Sequence, residues 1–301
     1  MSTSPLTQSV EIPVASRQPF PWVHIAWFGA LVLICYWPTI FVLVKIWGSD
    51  DNMGHGFFVP IVAGFIAWQH RAELMSEAPQ SNKWGLAVIA WGAIQSILAT
   101  LAAELFTQRL AIVVTLTGIV FYIGGKRWLK ILAFPLFLLV FMIPIPAILY
   151  AQLTLRLQEM ATALAESMLT LIGIPVLREG NLLRLPSQTL NVAEACSGIR
   201  SLLSLTFLSL VYGYFRDNRN WVRWLLFLST IPIAIGANGL RVMFTGVLSE
   251  MNTEWASGIF HEVEGYIVFV IALAALLGFH GIINICARRF GKRGRSAPLA
   301  A

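Results

Sequence analysis

Charge is the scarcest commodity in this chain. Only 12% of its 301 residues are Asp, Glu, Lys or Arg, about half the roughly 25% usual for a soluble domain. That excludes an ordinary globule with a charged surface. Cysteine is almost as rare: Cys35, Cys196 and Cys286 are all there are. Three scattered thiols make neither a disulfide framework nor a metal-ligand pattern, so no metal and no cofactor is expected. Cys35 and Cys286 read as small buried apolar residues. An internal repeat and a separate soluble domain are missing too. The first 21 residues are polar and proline-containing, and the apolar run after them is long, which is not the pattern of a cleavable signal. A continuous basic surface is also absent. The net charge of +6 comes from short loops and the C-terminus, and reads as orientation signals rather than a nucleic-acid site.

What is present is apolar length. Hydrophobic residues make up 57% of the chain, and mean hydropathy is +0.73. Several runs approach the roughly 20 residues needed to cross a bilayer. The fold class expected is an all-α polytopic membrane protein with about eight transmembrane helices: 22–44, a short 57–68, 84–103, 105–124, 128–149, 197–215, 221–240 and 259–285. Met142-Ile143-Pro144-Ile145-Pro146 should kink or end the fifth, and Pro232 with Gly236 interrupts the seventh. Residues 152–171 differ. Leu153, Leu157, Met160, Leu164, Met168 and Leu171 form one stripe at helical spacing, with Arg156, Glu159 and Glu166 away from it. This predicts an amphipathic helix at the membrane interface. Next, two short apolar runs flank Glu179-Gly180-Asn181 and predict a small extracytoplasmic β-hairpin over 176–185. Residues 187–192 offer a third short strand. Open strand edges cannot face lipid, so this segment belongs in water or against protein. The expected division is a disordered cytoplasmic tail (1–20), one membrane-embedded domain (21–287) and a basic cytoplasmic tail (288–301).

The basic residues orient this scheme. With the N-terminus inside and eight crossings, the cytoplasmic segments hold fourteen of the twenty-one Lys and Arg residues. If 152–171 crossed as an additional span, everything after it would invert. The loop with Arg216, Arg219 and Arg223 and the basic tail would then lie outside, against the positive-inside rule. Both termini are therefore expected in the cytoplasm. The loop 50–55, the hairpin, Cys196, Arg241 and His261 are expected on the outer face.

Three chemically useful groups meet on that face from three spans: Cys196 opens the sixth, Arg241 closes the seventh and His261 opens the eighth. A thiolate attacks carbonyls, an imidazole moves the proton, and a guanidinium stabilises an oxyanion. Cys196 also precedes a helix start, with Ser197 or Gly198 near the cap, where the helix dipole favours a thiolate. Each residue has a plainer reading: packing for Cys196, an interfacial side chain for His261, snorkelling for Arg241. His55 offers one further polar group, or is simply a loop histidine.

Glu194-Ala195-Cys196-Ser197-Gly198-Ile199-Arg200, Ala237-Asn238-Gly239-Leu240-Arg241-Val242 and His261-Glu262-Val263-Glu264-Gly265 resemble the three signature blocks of the exosortase/archaeosortase family. Fainter likenesses are His55-Gly56-Phe57 with Val59-Pro60, the Pro144/Pro146 motif, and Gly173-Ile174-Pro175-Val176 with Glu179-Gly180-Asn181. Together they cover roughly 47–285. The resemblance implies a transpeptidase-like cysteine enzyme of a bacterial cytoplasmic (inner) membrane. Its partners would be secreted proteins with a C-terminal sorting tail, consisting of a Pro-Glu-Pro-like motif, a membrane helix and a basic cluster, together with the lipid bilayer and no nucleic acid. It makes Cys196 the nucleophile, Arg241 the oxyanion or substrate-orienting group and His261 the acid/base. Arg200, Asn238, Ser197 and Glu194 of the same blocks, and His55, would be supporting or substrate-binding. The likeness to sortases is one of chemistry, not fold, and the appended C-terminal domain of some members is not expected here. A transporter or assembly component for an envelope polymer is the competing reading, since broken spans and intramembrane charges suit it too. Charges gathered at one interface rather than at the bilayer midplane count against it.

Overall fold

The computed structural model describes residues 21–76, 80–192, 198–251 and 259–293. Both expected tails therefore lie wholly or largely outside the described residues. Among the described residues, five helices are long and apolar enough to cross a membrane: α1 (Trp22–Ser49), α4 (Trp84–Leu101), α5 (Leu105–Ile131), α9 (Asn220–Met251) and α10 (Ile259–Arg293). A sixth crossing is counted if the pair Ala133–Met142 and Ala147–Leu171, broken at Ile143–Pro146, is one bent span. The protein is thus a multi-pass helical membrane protein. The short helices α3 (Arg71–Ser76) and α6 (Ala133–Leu138) lie between these, and the expected count of eight adds α2 (Phe58–Gln69) and α8 (Ile199–Arg216). The 12 residues of α2 reach only about 18 Å, and α8 carries an arginine near each end.

The chain forms two compact units, one from residues up to 43 with 58–143, the other from 44–57 with 144 onward. In the first, α4 and α5 form a tight hairpin. Gly85 backs onto Tyr122, Gly92 onto Thr115, and Gly118 onto Ile89, the small-residue approach that drives helix pairing in lipid. Tyr36 of α1 joins them, its hydroxyl 2.8 Å from Thr115 Oγ1. Glu104 caps α5, accepting hydrogen bonds from the backbone N–H groups of Phe106 and Thr107. Gly125, at φ 66°, ψ −158°, breaks α5 just before Lys126, Arg127 and Lys130. Only glycine adopts this conformation readily, and a Cβ here would strike the Gln80 carbonyl.

In the second unit α8, α9 and α10 share a core of Leu205, Val222, Leu226, Ala237, Val268, Ala272 and Leu276. α9 runs unbroken through Pro232 and Gly236 for 32 residues, so the interruption expected there is absent. Arg241 consequently lies inside a helix, ten residues before its end, rather than closing it. α7 (Ala147–Leu171) packs along α9, Leu164 over Gly239 and Leu169 over Gly246. Its apolar stripe is divided. Leu157 is buried, but Leu153, Met160 and Leu171 are exposed. The protein-facing side mixes small residues with leucine: Ala161, Thr162 and Ala165 are fully buried, as is Leu169. Large apolar side chains gain little by leaving lipid, whereas small ones let backbones approach. Cys35 and Cys286 likewise face outward instead of being buried.

The predicted hairpin and third strand form an antiparallel sheet, β1 (Leu177–Glu179), β2 (Leu182–Arg184) and β3 (Thr189–Asn191). Gly180, at φ 65°, makes the first turn. Leu183, Leu185 and Val192 bury against Ala161, Ala165 and Leu169 of α7 and Val242 of α9. The sheet is thus held against protein, as the backbone requires in a membrane. Ser187, in the second turn, donates from its N–H (3.0 Å) and hydroxyl (2.5 Å) to Glu250 near the end of α9. Arg178 of β1 pairs with Glu166 of α7 at 2.8 Å.

Candidate active site

Cys196, Ser197 and Glu194 lie outside the described residues. His261 falls in the first turn of α10, but its side chain also lies outside them. What the structure defines is the frame on either side. Val192, 1% exposed, leads into residues 193–197, and its N–H is bonded to the Asn181 carbonyl at 3.0 Å. Gly198 follows them and starts α8 in the left-handed conformation, φ 76°. A Cβ on Gly198 would lie 2.7 Å from Cγ of Asn238 and 2.8 Å from its Cβ. The backbone of the first block therefore rests directly on the asparagine of the second. Asn238 is 4% exposed.

Arg241 is three residues along α9 and on the same face as Asn238. Its guanidinium lies over the α10 backbone at Gly265, where a Cβ would stand 3.6 Å from Nη2 and 3.7 Å from Cζ. Thr245, one further turn along, places its hydroxyl 2.8 and 3.1 Å from the two Glu264 carboxylate oxygens. The same hydroxyl is 3.0 Å from the Arg241 carbonyl. Arg241 and Glu264 interact electrostatically. The second and third blocks are thus joined across α9 and α10 by Arg241, Thr245, Glu264 and Gly265. Glu264 stands in the third block with no role implied for it there, and Thr245 lies outside all three blocks. The available signal was Thr245 at i+4 from Arg241.

At the start of α8, Arg200 pairs with Asp51 at 2.9 Å, both groups exposed. His55 is half-buried, with its ring 6.3 Å from that of Phe207. The turn Asp51–Phe57 therefore docks on α8, which brings His55 and Arg200 to one helix. Gly56 makes this possible by backing onto the Trp47 ring.

A second polar cluster went unread in the sequence. Asp217, at the C-terminal end of α8, is buried. It accepts from Arg219 N–H (2.8 Å), Nε (3.0 Å) and Nη2 (2.6 Å). His280 of α10 lies 3.2 Å from it through Nε2, and Tyr212 Oη is 2.9 Å from His280 Nδ1. The Arg219 hydrogen bonds hold the Asp217 carboxyl well below the usual carboxylate range. Arg223 caps α8 by donating to the carbonyls of Gly213, Tyr214 and Asp217. This cluster ties the 217–219 turn to α10. Among the described residues no three His, Cys, Asp or Glu side chains come together as metal ligands.

These features define a class: a multi-pass helical membrane protein with an arginine of one helix lying against the backbone of the next beside a glutamate, next to a glycine-started helix. The sequence match is more specific. Residues 47–278 fit the family model described as Transmembrane exosortase (Exosortase_EpsH), and the chain belongs to that family, a protease/transpeptidase family of membrane proteins concerned with protein sorting. No curated protein and no solved structure matches it.

Proposed function

We propose that this exosortase is a membrane cysteine protease or transpeptidase that removes the C-terminal sorting tail of secreted proteins at the outer face of a bacterial inner membrane. The observation that carries the reading is the meeting of the three blocks: Gly198 on Asn238, and Arg241 on Gly265. Two residues of chain span at most about 7 Å, so connectivity keeps a nucleophile at position 196 close to Gly198 and, through it, to the Asn238–Arg241 face.

In this mechanism the Cys196 thiolate attacks the scissile carbonyl carbon, and the oxygen takes up negative charge facing the Arg241 guanidinium. Collapse expels the tail as an amine, which takes its proton from His261. The thioester then passes to an acceptor amine or to water, His261 receiving the proton that the attacking group loses. Asn238 supports the backbone beside the nucleophile. Ser197, Glu194, Arg200 and His55 take supporting or substrate-binding roles. The working unit is residues 21–287, with the tails 1–20 and 288–301 in the cytoplasm.

The test is co-expression with a secreted protein bearing a Pro-Glu-Pro-like motif, a membrane helix and a basic end. Cys196→Ala, Arg241→Ala and His261→Ala are each expected to leave the tail uncleaved while the protein stays in the membrane. Continued processing by Cys196→Ala refutes the reading. A membrane-impermeant thiol reagent should label Cys196 from outside the cell, and labelling only from the cytoplasm would invert the topology.

A further inference from the structure

We infer that Glu264 and Thr245 are positioning residues that hold the Arg241 guanidinium in its working direction. The inference rests on the reading of Arg241 as the residue that meets the developing oxyanion. An arginine side chain has many rotamers, and holding it costs entropy that a site must supply beforehand if the group is to act without reorganising. Three observations identify what holds it. The guanidinium lies over Gly265, so the missing side chain leaves it room against α10. Glu264, adjacent in sequence, presents the opposing charge. Thr245 fixes that carboxylate at 2.8 Å from the same helix and face that carry Arg241.

The hydroxyl of Thr245 has one hydrogen and two acceptors within reach, the Glu264 carboxylate and the Arg241 carbonyl. Turned to Glu264, it anchors the carboxylate. Turned to the carbonyl, it only repeats the threonine back-bond common in membrane helices. A purely structural account takes the pair as polar glue between α9 and α10. That account requires only a hydrogen bond at position 264, whereas positioning Arg241 requires the negative charge.

Glu264→Gln separates the two. The amide oxygen still accepts from Thr245 while the charge is lost. In full-length protein reconstituted with a tail-bearing substrate, Glu264→Gln is expected to lower kcat about 10- to 100-fold, less than the roughly 100- to 1000-fold of an oxyanion donor removed outright because the guanidinium is displaced rather than deleted, with KM within about twofold and an unchanged thermal midpoint. Thr245→Val should lower kcat less, and Thr245→Ser, which restores the hydroxyl, should recover most of the loss. A second readout needs no substrate. Modification of Arg241 by phenylglyoxal, followed by mass spectrometry, should be several-fold faster in Glu264→Gln than in the wild type, because the opposing charge proposed to hold the guanidinium is gone. Wild-type kcat and wild-type modification rate in Glu264→Gln overturn the inference and leave the cysteine mechanism standing. Tail removal by Cys196→Ala overturns the mechanism itself. Loss of activity with a lowered midpoint in both Glu264→Gln and Thr245→Val assigns the pair to helix packing and refutes the positioning role.

Discussion

Replacing Gly198 with alanine imposes two separate costs at one position. The first is conformational: φ is 76°, and an L-residue in the left-handed region costs about 1–2 kcal/mol. The second is steric. The new Cβ would sit 2.7 Å from Asn238 Cγ and 2.8 Å from Asn238 Cβ, where relaxed carbon–carbon contacts need about 3.5–4.0 Å. Forcing the helices apart by the difference, about 1 Å, is an overpacking defect of about 1–3 kcal/mol. Gly198→Ala should therefore lose about 2–5 kcal/mol in all, and whatever part of α8 does move parts Gly198 from Asn238. The assay is thermal unfolding in detergent, followed by tryptophan fluorescence, run beside tail removal in cells. Gly198→Asn makes the experiment decisive. Asparagine tolerates positive φ far better than alanine but is larger, so it removes the conformational cost and keeps the collision. The close approach predicts that Asn still falls at least about 1–3 kcal/mol below the wild type. If Gly198→Asn unfolds and cleaves like the wild type, the contact with Asn238 does not govern the site.

Gly239→Ala should destabilise by about 1–3 kcal/mol, since its Cβ would lie 2.5 Å from Leu164 Cδ2. Gly246→Ala should cost less, because it meets only the methyl ends of Leu169 at 3.2 and 3.3 Å; thermal midpoints of the two variants rank them. Asp217→Ala should lose about 2 kcal/mol, as expected for charged hydrogen bonds, again read by thermal midpoint. Because its folded pKa is depressed, this contribution is present above the unfolded value of about 3.9 and disappears as pH falls below it. An acid titration of Asp217→Asn should accordingly be flatter than that of the wild type below about pH 4. Arg200→Ala should change stability by no more than about 1 kcal/mol, since its pair with Asp51 is solvent-exposed. Any large loss of processing in that variant therefore reflects a role with substrate.

The parts of this protein that could be read from one dimension are those governed by local pattern. Apolar length located α1, α4, α5 and α10. Glu179-Gly180-Asn181 marked the turn that β1 and β2 share, and the two prolines marked the break before α7. Facing was harder. Only part of the apolar stripe of α7 turns inward, and small residues take up the approach to α9, Ala161 and Ala165 on α7 and Gly239 and Gly246 on α9, because in lipid the usual link between apolar and inward does not hold. Arg241 ends an apolar run in the sequence, as a charge at a span end does, yet α9 continues for two to three more turns. Thr245 and Glu264 are nineteen residues apart in sequence, and Asp217 and His280 are sixty-three apart. Such pairs exist only once two helices have been set side by side, and no spacing rule within either helix predicts them.

The sheet has one more consequence, for motion. β2 and Val192 are buried on α7 and α9, and the β2–β3 turn is bound to Glu250. Lifting β2 or Val192 off the two helices exposes Leu183, Leu185 or Val192 together. Amides of β2, of Val192 and of α9 near Val242 should therefore exchange with deuterium at one common rate, as a single cooperative unit. β1, which is exposed along its whole length, should exchange faster, as the fraying margin of that unit.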